Sequence, residues 1–299
     1  MSFPSALYGA SSVILSNLFV KLPVPAGNAD LPSQIIIVTG ANTGLGYESS
    51  LHLSRLGVGK LIMAVRTIAK GDDAKERILA STGRSPSSIE VWPIDMESYD
   101  SIKAFASRAA QLPRLDGVLA NAGIMTTHFS LSGVYEKTLN VNVISTVLLY
   151  LLLLPKMRES GKQTGHVCSY VIPNSALHYL APLGELDPTI PNITDGLSDP
   201  KKANMAGRYP LSKLLVIYAV RELAERCEST GKGSCIINTP NPSFCKSNLA
   251  SESKESSGFR VVEKVLARST EEGSRVLVHG LLAGRESNGQ YLSNCHVET

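Results

Sequence analysis

The sequence predicts an α/β protein with a doubly wound, mostly parallel sheet of seven strands and helices on both faces. Three observations lead to this fold class. Apolar runs of strand length alternate with helical stretches, the first run (IIIVT) consists almost entirely of β-branched residues, and a glycine-rich turn follows it directly. With 299 residues, 43% of them hydrophobic, the chain has ample material for one buried core.

The elements follow one another in a regular order. Strands are predicted at 35–39, 61–65, 89–93, 116–120, 166–172, 234–239 and 290–293. Helices are predicted at about 45–56, 69–80 and 99–112, over a long apolar stretch ending near Met157, and at 209–227 and 270–282. Strand–helix alternation implies crossover connections and a parallel sheet. Residues 34–299 are therefore predicted to form a single domain, preceded by a helical and extended lead-in at 1–33.

Composition and charge exclude several function classes. The net charge is +3 without a block of like charges, which argues against a nucleic-acid-binding face. The five cysteines form no CxxC pair and no zinc pattern, which indicates reduced thiols and no metal site. The apolar stretch 13–20 is too short to span a bilayer, and 141–154 is better explained as a buried helix. A cytoplasmic protein without a membrane span is expected; secretion or anchoring through 13–20 is the less favoured alternative.

The glycine-rich turn predicts a dinucleotide site. In IIIVTGANTGLGYE, Gly40, Gly44 and Gly46 lie between the first strand and the next helix. Gly40 would permit the tight turn, and Gly44 and Gly46 would let the pyrophosphate approach the backbone at the helix N-terminus. A turn that serves only chain reversal is the alternative. In this strand–helix context, Rossmann-type binding of a dinucleotide is favoured.

The end of the second strand indicates which dinucleotide binds. An acidic residue there would bind the ribose 2′-hydroxyl of NAD. The sequence LIMAVRT instead places Arg66 twenty positions after Gly46, with no carboxylate before Asp72. A cation at this point favours a 2′-phosphate, so NADP(H) is the predicted cofactor; a solvated surface arginine is the alternative.

A tyrosine and a lysine four residues apart provide candidate acid–base chemistry. Tyr209 and Lys213 open a helix in the phrase RYPLSKL, and residues four apart share one helical face. A nearby ammonium is expected to lower the pKa of the phenol by about one to three units. Tyr209 would then exchange a proton with a carbonyl or alcohol oxygen. A pair of ordinary surface residues is the alternative interpretation.

These motifs resemble the short-chain dehydrogenases/reductases. The resemblance rests on TGANTGLG at 39–46, NAG at 121–123 and YxxxK at 209–213, and it covers about residues 34–295. VTGANTGLG, RYPLSKL and GRESNGQYLS look most like fungal secondary-metabolism members and retinol-dehydrogenase-like relatives. The resemblance implies an oxidoreductase whose catalytic residues are Asn142 (rather than Asn140), Ser175, Tyr209 and Lys213.

The resemblance also implies a cofactor-binding set. Asp95 would bind the adenine amino group beside Met96, Asn142 would hold a water in a proton relay, and residues 121–123 would line the cofactor. The set comprises Gly40, Asn42, Thr43, Gly44, Leu45, Gly46, Arg66, Asp95, Met96, Asn121, Ala122, Gly123, Tyr209, Lys213, Cys245 and Ser247.

Two positions depart from the family pattern. The fifth strand offers Ser175 and, as an alternative, Ser169 for the catalytic hydroxyl, which would fix the substrate oxygen as charge develops on it. After the sixth strand, Ser243 replaces a usual glycine. Since serine reaches positive φ less freely than glycine, the loop around the nicotinamide is expected to be displaced.

The predicted function is interconversion of a ketone and a secondary alcohol. Apolar residues of the variable segment 179–208, among them Leu180, Leu183 and Ile190, suit an apolar substrate, polycyclic ketones included; 248–262 is the second predicted recognition segment. An isomerase, epimerase or dehydratase on the same scaffold is the first alternative, and a cofactor-binding regulator without catalysis is the second. A small-molecule substrate is expected, with a homodimer or homotetramer as the candidate assembly.

Overall fold

The computed structural model describes residues 3–186, 192–246 and 257–298, together with residues 189, 249 and 252. Within these residues the strands are β1 (Ile35–Thr39), β2 (Lys60–Val65), β3 (Ile89–Pro93), β4 (Gly117–Leu119), β5 (Leu131–Ser132), β6 (Tyr135–Glu136), β7 (Ser169–Val171), β8 (Ile236–Asn241), β9 (Tyr291–Ser293) and β10 (His296–Val297). The helices are α1 (Phe3–Phe19), α2 (Gly44–Arg55), α3 (Ile68–Thr82), α4 (Tyr99–Ala109), α5 (Lys137–Leu139), α6 (Thr146–Thr164), α7 (Ile193–Leu197), α8 (Met205–Ser229), α9 (Ser257–Leu266) and α10 (Thr270–Leu282).

One large sheet carries the fold, in the strand order β10-β9-β8-β7-β4-β1-β2-β3. The seven strands from β9 to β3 pair in parallel, which confirms the predicted parallel sheet. The sheet has eight strands rather than seven, because the short β10 pairs antiparallel with β9 at the edge. A separate hairpin, β5–β6, precedes α5.

The strands at the centre are buried on both faces because helices cover each side. All five residues of β1 are buried. Ile35 and Ile37 belong to one apolar cluster with residues of α4, α6 and α8, while Ile36 and Val38 belong to the other with residues of α2, α3 and α10. This two-residue alternation is what a doubly covered strand requires.

The long apolar helix predicted after β4 is interrupted near its start. Residues Asn140–Ser145 form a π-helical turn between α5 and α6. The combined stretch Lys137–Thr164 is, among the described residues, the helix long and apolar enough to cross a membrane by length and composition, and more than half of its most apolar window is buried within the fold. Its packing against the sheet accounts for its apolar sequence.

The segment between β7 and α8 has little regular structure. It contains a 3-10 turn at Ala176–Leu180, a second at Leu183–Glu185, and the short α7. This segment starts at the carboxyl end of β7 and returns to the first turn of α8. It therefore borders the edge of the sheet at which the candidate site lies.

Candidate active site

The turn after β1 takes the conformation that glycine allows. Gly40 and Gly44 have φ angles of +64° and +58°, a region that other residues enter only at a steric cost. The N–H of Gly40 donates to the Ala64 carbonyl of β2 at 2.8 Å, which fixes the turn to the neighbouring strand. A Cβ on Gly44 would meet no atom within 4 Å, so this side of the turn is open.

The third glycine lies in close contact with the turn itself. A Cβ on Gly46 would lie 2.4 Å from the Gly40 carbonyl oxygen and 2.5 Å from Asn121 Nδ2. The contact of α2 with the turn therefore already requires glycine at this position. Approach of a pyrophosphate to Gly46 stays a prediction.

The N-terminus of α2 is free to bind an anion. The N-cap residue Thr43 makes no side-chain capping bond, so the first N–H groups of α2 lack that partner. Beside them lies a cavity of about 450 Å³ lined by Asn42, Thr43, Lys70, Asp73 and Arg77. The open turn, the uncapped helix and the two cations fit the phosphates of a dinucleotide.

The side chains of Leu45 and Met96 both pack against the apolar core. The Leu45 side chain packs with the core and would lie 3.2 Å from a Cβ on Gly273. Met96 is 6% exposed and belongs to the opposite core cluster. Next to it, Asp95 is half-buried and its Oδ1 accepts from the Glu97 N–H at 3.0 Å. Contact of Asp95 with an adenine remains a prediction.

Residues 121–123 join the ends of two strands. Asn121 Nδ2 donates to the Thr39 carbonyl at 3.0 Å, and the Ala122 N–H donates to Thr39 Oγ1 at 2.9 Å. A Cβ on Gly123 would lie 3.2 Å from Asn142 Oδ1. The segment therefore holds β4 against β1 directly behind the glycine turn.

Arg66 lies at the carboxyl end of β2 with an exposed guanidinium. Its side chain is 70% exposed and its Nη1 pairs with Glu97 Oε1 at 3.3 Å. Lys137 Nζ contacts the same carboxylate oxygen at 3.0 Å. An exposed ion pair of this kind contributes roughly 0–1 kcal/mol, so Arg66 can exchange Glu97 for another anion at little cost.

The acid–base pair is buried at the same edge of the sheet. Tyr209 is 6% exposed, and Ser175 lies close enough to its hydroxyl to lower the pKa of the phenol. Lys213 Nζ lies 5.5 Å from the centre of the tyrosine ring and donates to the Pro173 carbonyl at 2.8 Å. The structure thus brings together three of the four predicted catalytic side chains: Ser175, Tyr209 and Lys213.

The direction of the tyrosine pKa differs from the expectation. Burial raises the pKa of Tyr209 well above its ordinary value, and the nearby Ser175 side chain offsets only part of this rise. Burial also lowers the pKa of Lys213 to about 8. The predicted lowering of the Tyr209 pKa was wrong for the protein alone, because loss of hydration on burial is the dominant effect on this phenol.

Asn142 is anchored within the protein by its side chain. Its Oδ1 accepts from the Ile124 N–H at 2.9 Å, and its Nδ2 donates to the Ile124 carbonyl at 2.9 Å and to Ser212 Oγ at 3.1 Å. Ser212 Oγ in turn donates to the Tyr209 carbonyl at 2.8 Å. Asn142, in the π-helical turn, therefore connects the loop after β4 with the first turn of α8. Its role in holding a water stays a prediction.

The two candidate serines lie at opposite ends of β7. Ser169 is its first residue, is 3% exposed and aligns with Gly117 and Ile236 of the neighbouring strands. Ser175 lies in the segment after Val171, the last residue of the strand, and is close to Tyr209. Asn174, between them in sequence, was not predicted as a site residue. Its Nδ2 donates to Thr239 Oγ1 at 2.9 Å, and its Oδ1 accepts from the Ser175 N–H at 2.8 Å, which positions Ser175.

The loop after β8 keeps a glycine-like backbone despite its serine. Ser243 has a φ of +63°, and its N–H donates to Asn241 Oδ1 at 2.9 Å. The serine therefore takes up the left-handed conformation instead of avoiding it, contrary to the steric argument for a displaced loop. Cys245 is buried, donates through Sγ to the Pro242 carbonyl at 3.2 Å, and has its thiol pKa raised to about 12 by burial. Ser247 lies outside the described residues.

A buried ion-pair network next to Tyr209 was missed at the sequence level. Arg208 is 1% exposed; its Nε lies 3.5 Å from Glu136 Oε2 and its Nη1 lies 3.5 Å from Glu185 Oε2. Its Nη2 donates to the Leu197 carbonyl at 2.8 Å. Glu136 also caps α5 by accepting from two backbone N–H groups. Arg208 thus ties α8 to the start of the Asn142 helix and to the segment after Ser175. Its position before Tyr209 was visible in the sequence, but its carboxylate partners were not.

The comparisons with known proteins agree with this geometry. The short chain dehydrogenase family model matches residues 34–170. The short chain dehydrogenase atnD of Emericella nidulans is 41% identical over 94% of this chain and 90% of its own. The short chain dehydrogenase/reductase dmxR8 of a Cryptosporiopsis species is 38% identical over 96% of this chain and 88% of its own.

This chain belongs to the short-chain dehydrogenase/reductase family. The predicted family and the placement among fungal members are therefore confirmed, and the protein is an oxidoreductase of the NAD(P)-binding type. Solved structures share its fold. A short chain dehydrogenase from Shigella flexneri has a TM-score of 0.64 at 20% identity over 90% of this chain and 93% of that one. One from Sphingobium yanoikuyae in complex with NADPH has a TM-score of 0.61 at 16% identity, with 87% of each chain covered.

No group of three or more His, Cys, Asp or Glu that could hold a metal ion occurs among the residues that the structure describes. The polar groups at the carboxyl edge of the sheet are engaged instead in hydrogen bonds with the backbone and with one another.

Replacing Arg208 with methionine is expected to destabilise the fold strongly. It would leave Glu136 buried without its cation, and breaking a buried pair costs roughly 3–5 kcal/mol. The free energy of unfolding, measured by chemical denaturation, checks this. Arg226→Met on the same helix is the matched control, because Arg226 is 76% exposed and pairs with Glu222 on the surface; it should cost less than about 1 kcal/mol. Equal losses in the two variants would contradict the proposed network.

Proposed function

We propose that this short-chain dehydrogenase uses NADPH to reduce a ketone to a secondary alcohol, and that the same residues catalyse the reverse reaction. The observation that carries the proposal is that Ser175, Tyr209 and Lys213 lie together at the sheet edge that also bears the open glycine turn. A carbonyl oxygen that reached both hydroxyls would meet two O–H donors at once.

Each side chain then has a defined task. The bound cofactor supplies or accepts the hydride. Ser175 donates a hydrogen bond to the substrate oxygen and so stabilises the negative charge that develops there. Tyr209 transfers its proton to that oxygen as general acid. Lys213, held by the Pro173 carbonyl, places positive charge beside the phenol ring and so favours the phenolate that proton transfer leaves behind.

A protonated Tyr209 is the form that ketone reduction requires of its general acid. A phenol whose pKa is raised keeps its proton at neutral pH and can donate it without prior ionisation. In the oxidation of an alcohol, the same group must first lose that proton. The resting protonation state therefore matches the needs of ketone reduction.

A 2′-phosphate fits the cations near the adenosine end of the glycine turn. Arg66 is exposed at the end of β2, and Lys70 and Arg77 line the cavity beside Asn42. No side-chain carboxylate precedes Asp72 after this strand, where an NAD-specific protein would carry one. The Sphingobium yanoikuyae relative of this fold holds NADPH. NADP(H) is therefore the proposed cofactor.

An apolar substrate, polycyclic ketones of secondary metabolism included, fits the segment after Ser175. Leu183 is 48% exposed there, and Leu180 is half-buried. Ile190 and much of 248–262, the second predicted recognition segment, lie outside the described residues. The exposed Leu151, Leu152 and Tyr218 of α6 and α8 provide an apolar face for a homodimer or homotetramer. A cytoplasmic location remains part of the proposal.

Tyr209→Phe is expected to lower the turnover of NADPH-dependent ketone reduction by roughly 10²–10⁴-fold, because the general acid is lost. NADPH binding, measured by calorimetry, should be retained. Tyr218→Phe, at an exposed position of the same helix, should keep wild-type turnover. Conversion of the test ketones to products of unchanged oxidation state, without NADPH oxidation, would contradict the proposal and favour a non-redox reaction. Cofactor binding without turnover of any test ketone would favour a regulator.

Ser175→Ala should reduce kcat by roughly 10²–10³-fold, the usual effect of removing one donor to a developing oxyanion. Ser169→Ala should leave kcat close to that of the wild type, since Ser169 lies at the amino end of β7. Steady-state kinetics on both variants decides between the serines. A larger loss in the Ser169 variant would reverse the assignment.

Arg66→Asp is expected to weaken NADPH binding by roughly 10–150-fold, which corresponds to the loss of one hydrogen-bonded charge contact. NADH binding should not weaken, because the ribose 2′-hydroxyl gains an acceptor. Arg55→Asp is the control for net charge, since Arg55 is exposed on α2. Calorimetric titration with both cofactors measures the change, and an Arg66 variant with unaltered NADPH affinity would overturn the assignment.

A further inference from the structure

Helix α1 faces the protein with its small and polar residues. Gly9 and Ser16 are buried against the fold, and Ser16 is 8% exposed. The large apolar side chains point outward, among them Leu7 at 60%, Leu15 at 56% and Phe19 at 77% exposure. A surface helix of a globular protein has the opposite arrangement, with its apolar stripe toward the core.

Specific contacts hold α1 in this orientation. Arg268 Nη2 donates to the Ser16 carbonyl at 2.6 Å and to the Val20 carbonyl at 2.7 Å. Asn17 Nδ2 donates to the Phe244 and Leu266 carbonyls, each at 2.7 Å. These hydrogen bonds use the polar side of the helix, so rotating α1 to bury its apolar side would break them. The outward apolar residues are therefore a fixed feature of the fold.

The outward residues form a continuous stripe. Tyr8, Leu15 and Phe19 follow one another at helical spacing, as do Leu7, Ile14 and Leu18. The stripe extends past the helix through Val20 and Val24, which are 40% and 66% exposed. Helix α9, which packs against α1, adds further exposed apolar residues. We call this set the α1 face: Leu7, Tyr8, Ile14, Leu15, Leu18, Phe19, Val20, Val24, Val262 and Val265.

The fully exposed charged residues around the α1 face are lysines, whereas the carboxylates near it are only partly exposed. The helix Phe3–Phe19 contains no Asp, Glu, Lys or Arg. Exposed lysines border it: Lys21 follows the helix, Lys264 lies on α9, and Lys246 bonds through its backbone to Arg268. The carboxylates of Glu272 and Glu298 are engaged with Arg268 and with Tyr8 and Tyr179, respectively. Glu263 of α9 is likewise not without an interaction partner.

We propose that the α1 face docks this protein on the surface of an anionic lipid membrane. An apolar stripe bordered by cations matches the boundary between acyl chains and acidic headgroups. A second copy of the chain fits less well, because a two-fold contact would set the same positively charged border against itself. The helix would lie on the membrane rather than across it, because the other side of this 17-residue helix is packed against the fold.

The docked orientation would bring the active site close to the lipid. Helix α1 packs on the turn Ala176–Leu180, which follows Ser175 directly. A Cβ on Gly9 would lie 2.8 Å from Tyr179 Cβ, so the two elements are in close contact. Apolar substrates dissolved in the membrane would then reach the site without crossing much water. Docking itself does not depend on the proposed reaction.

Vesicle co-sedimentation of the full-length protein tests the proposal. Wild-type protein should bind vesicles of phosphatidylcholine and phosphatidylserine, with weaker binding to phosphatidylcholine alone or at high salt. The double variant Leu15→Gln/Phe19→Gln should lower the partition coefficient by roughly a hundred-fold, because two large apolar side chains no longer enter the lipid. Lys21→Glu/Lys264→Glu should remove the preference for phosphatidylserine.

Leu131→Gln/Val134→Gln is the matched control, because these apolar residues are exposed at the β5–β6 hairpin and belong neither to the α1 face nor to the proposed assembly face. It should bind vesicles as the wild type does. Absence of wild-type binding to either vesicle, or equal loss in the control, would overturn the proposal. Sedimentation velocity without lipid completes the test: a dimer that only Leu15→Gln/Phe19→Gln dissociates would assign the face to a second copy. NADPH oxidation by the same variants on a water-soluble ketone reports separately on the reaction.

Discussion

The active site depends on a lysine amine that is buried without a carboxylate partner. Lys213 Nζ donates to the Pro173 carbonyl, and Asn174 Nδ2 donates back to the Lys213 carbonyl at 3.2 Å. Asn174 also bonds Thr239 of β8, so one short segment joins β7, β8 and α8. A buried ammonium is costly unless its donors are satisfied. Its presence therefore constrains how the end of β7 and the start of α8 can be arranged, and Ser175 and Tyr209 are placed by that arrangement.

The same principle governs the other side of the site. Asn142 satisfies its amide on the Ile124 backbone and on Ser212, and Arg208 links the cap of α5 to the first turn of α8. These polar groups are nearly all buried, yet most of their bonds go to the backbone. Since the sheet fixes these backbone positions, it also fixes the positions of the side chains that are hydrogen-bonded to them. The fold thus supplies positional accuracy to a site made largely of loop and helix-end residues.

Local patterns in the sequence were sufficient to predict most of the architecture. The IIIVT run, the glycine turn and the four-residue spacing of Tyr209 and Lys213 each act within one element and its immediate neighbour. Properties that depend on contacts between residues far apart in the sequence could not be predicted from such patterns. The sign of the Tyr209 pKa shift follows from burial by several elements, and the carboxylates of Arg208 come from positions 136 and 185. The reversed orientation of α1 likewise depends on Arg268, about 250 residues away in the chain.

The left-handed Ser243 has a further consequence for the loop after β8. A non-glycine residue in this region stores about 1–2 kcal/mol of backbone strain, and the buried Ser243 Oγ has no hydrogen-bond partner among the described groups to offset it. Serine also gives the unfolded chain less conformational entropy than glycine does, and this offsets part of the destabilisation caused by the strain. The remainder is released whenever the loop rearranges. Local opening at this edge of the sheet therefore requires less free energy than opening of the strands beside it.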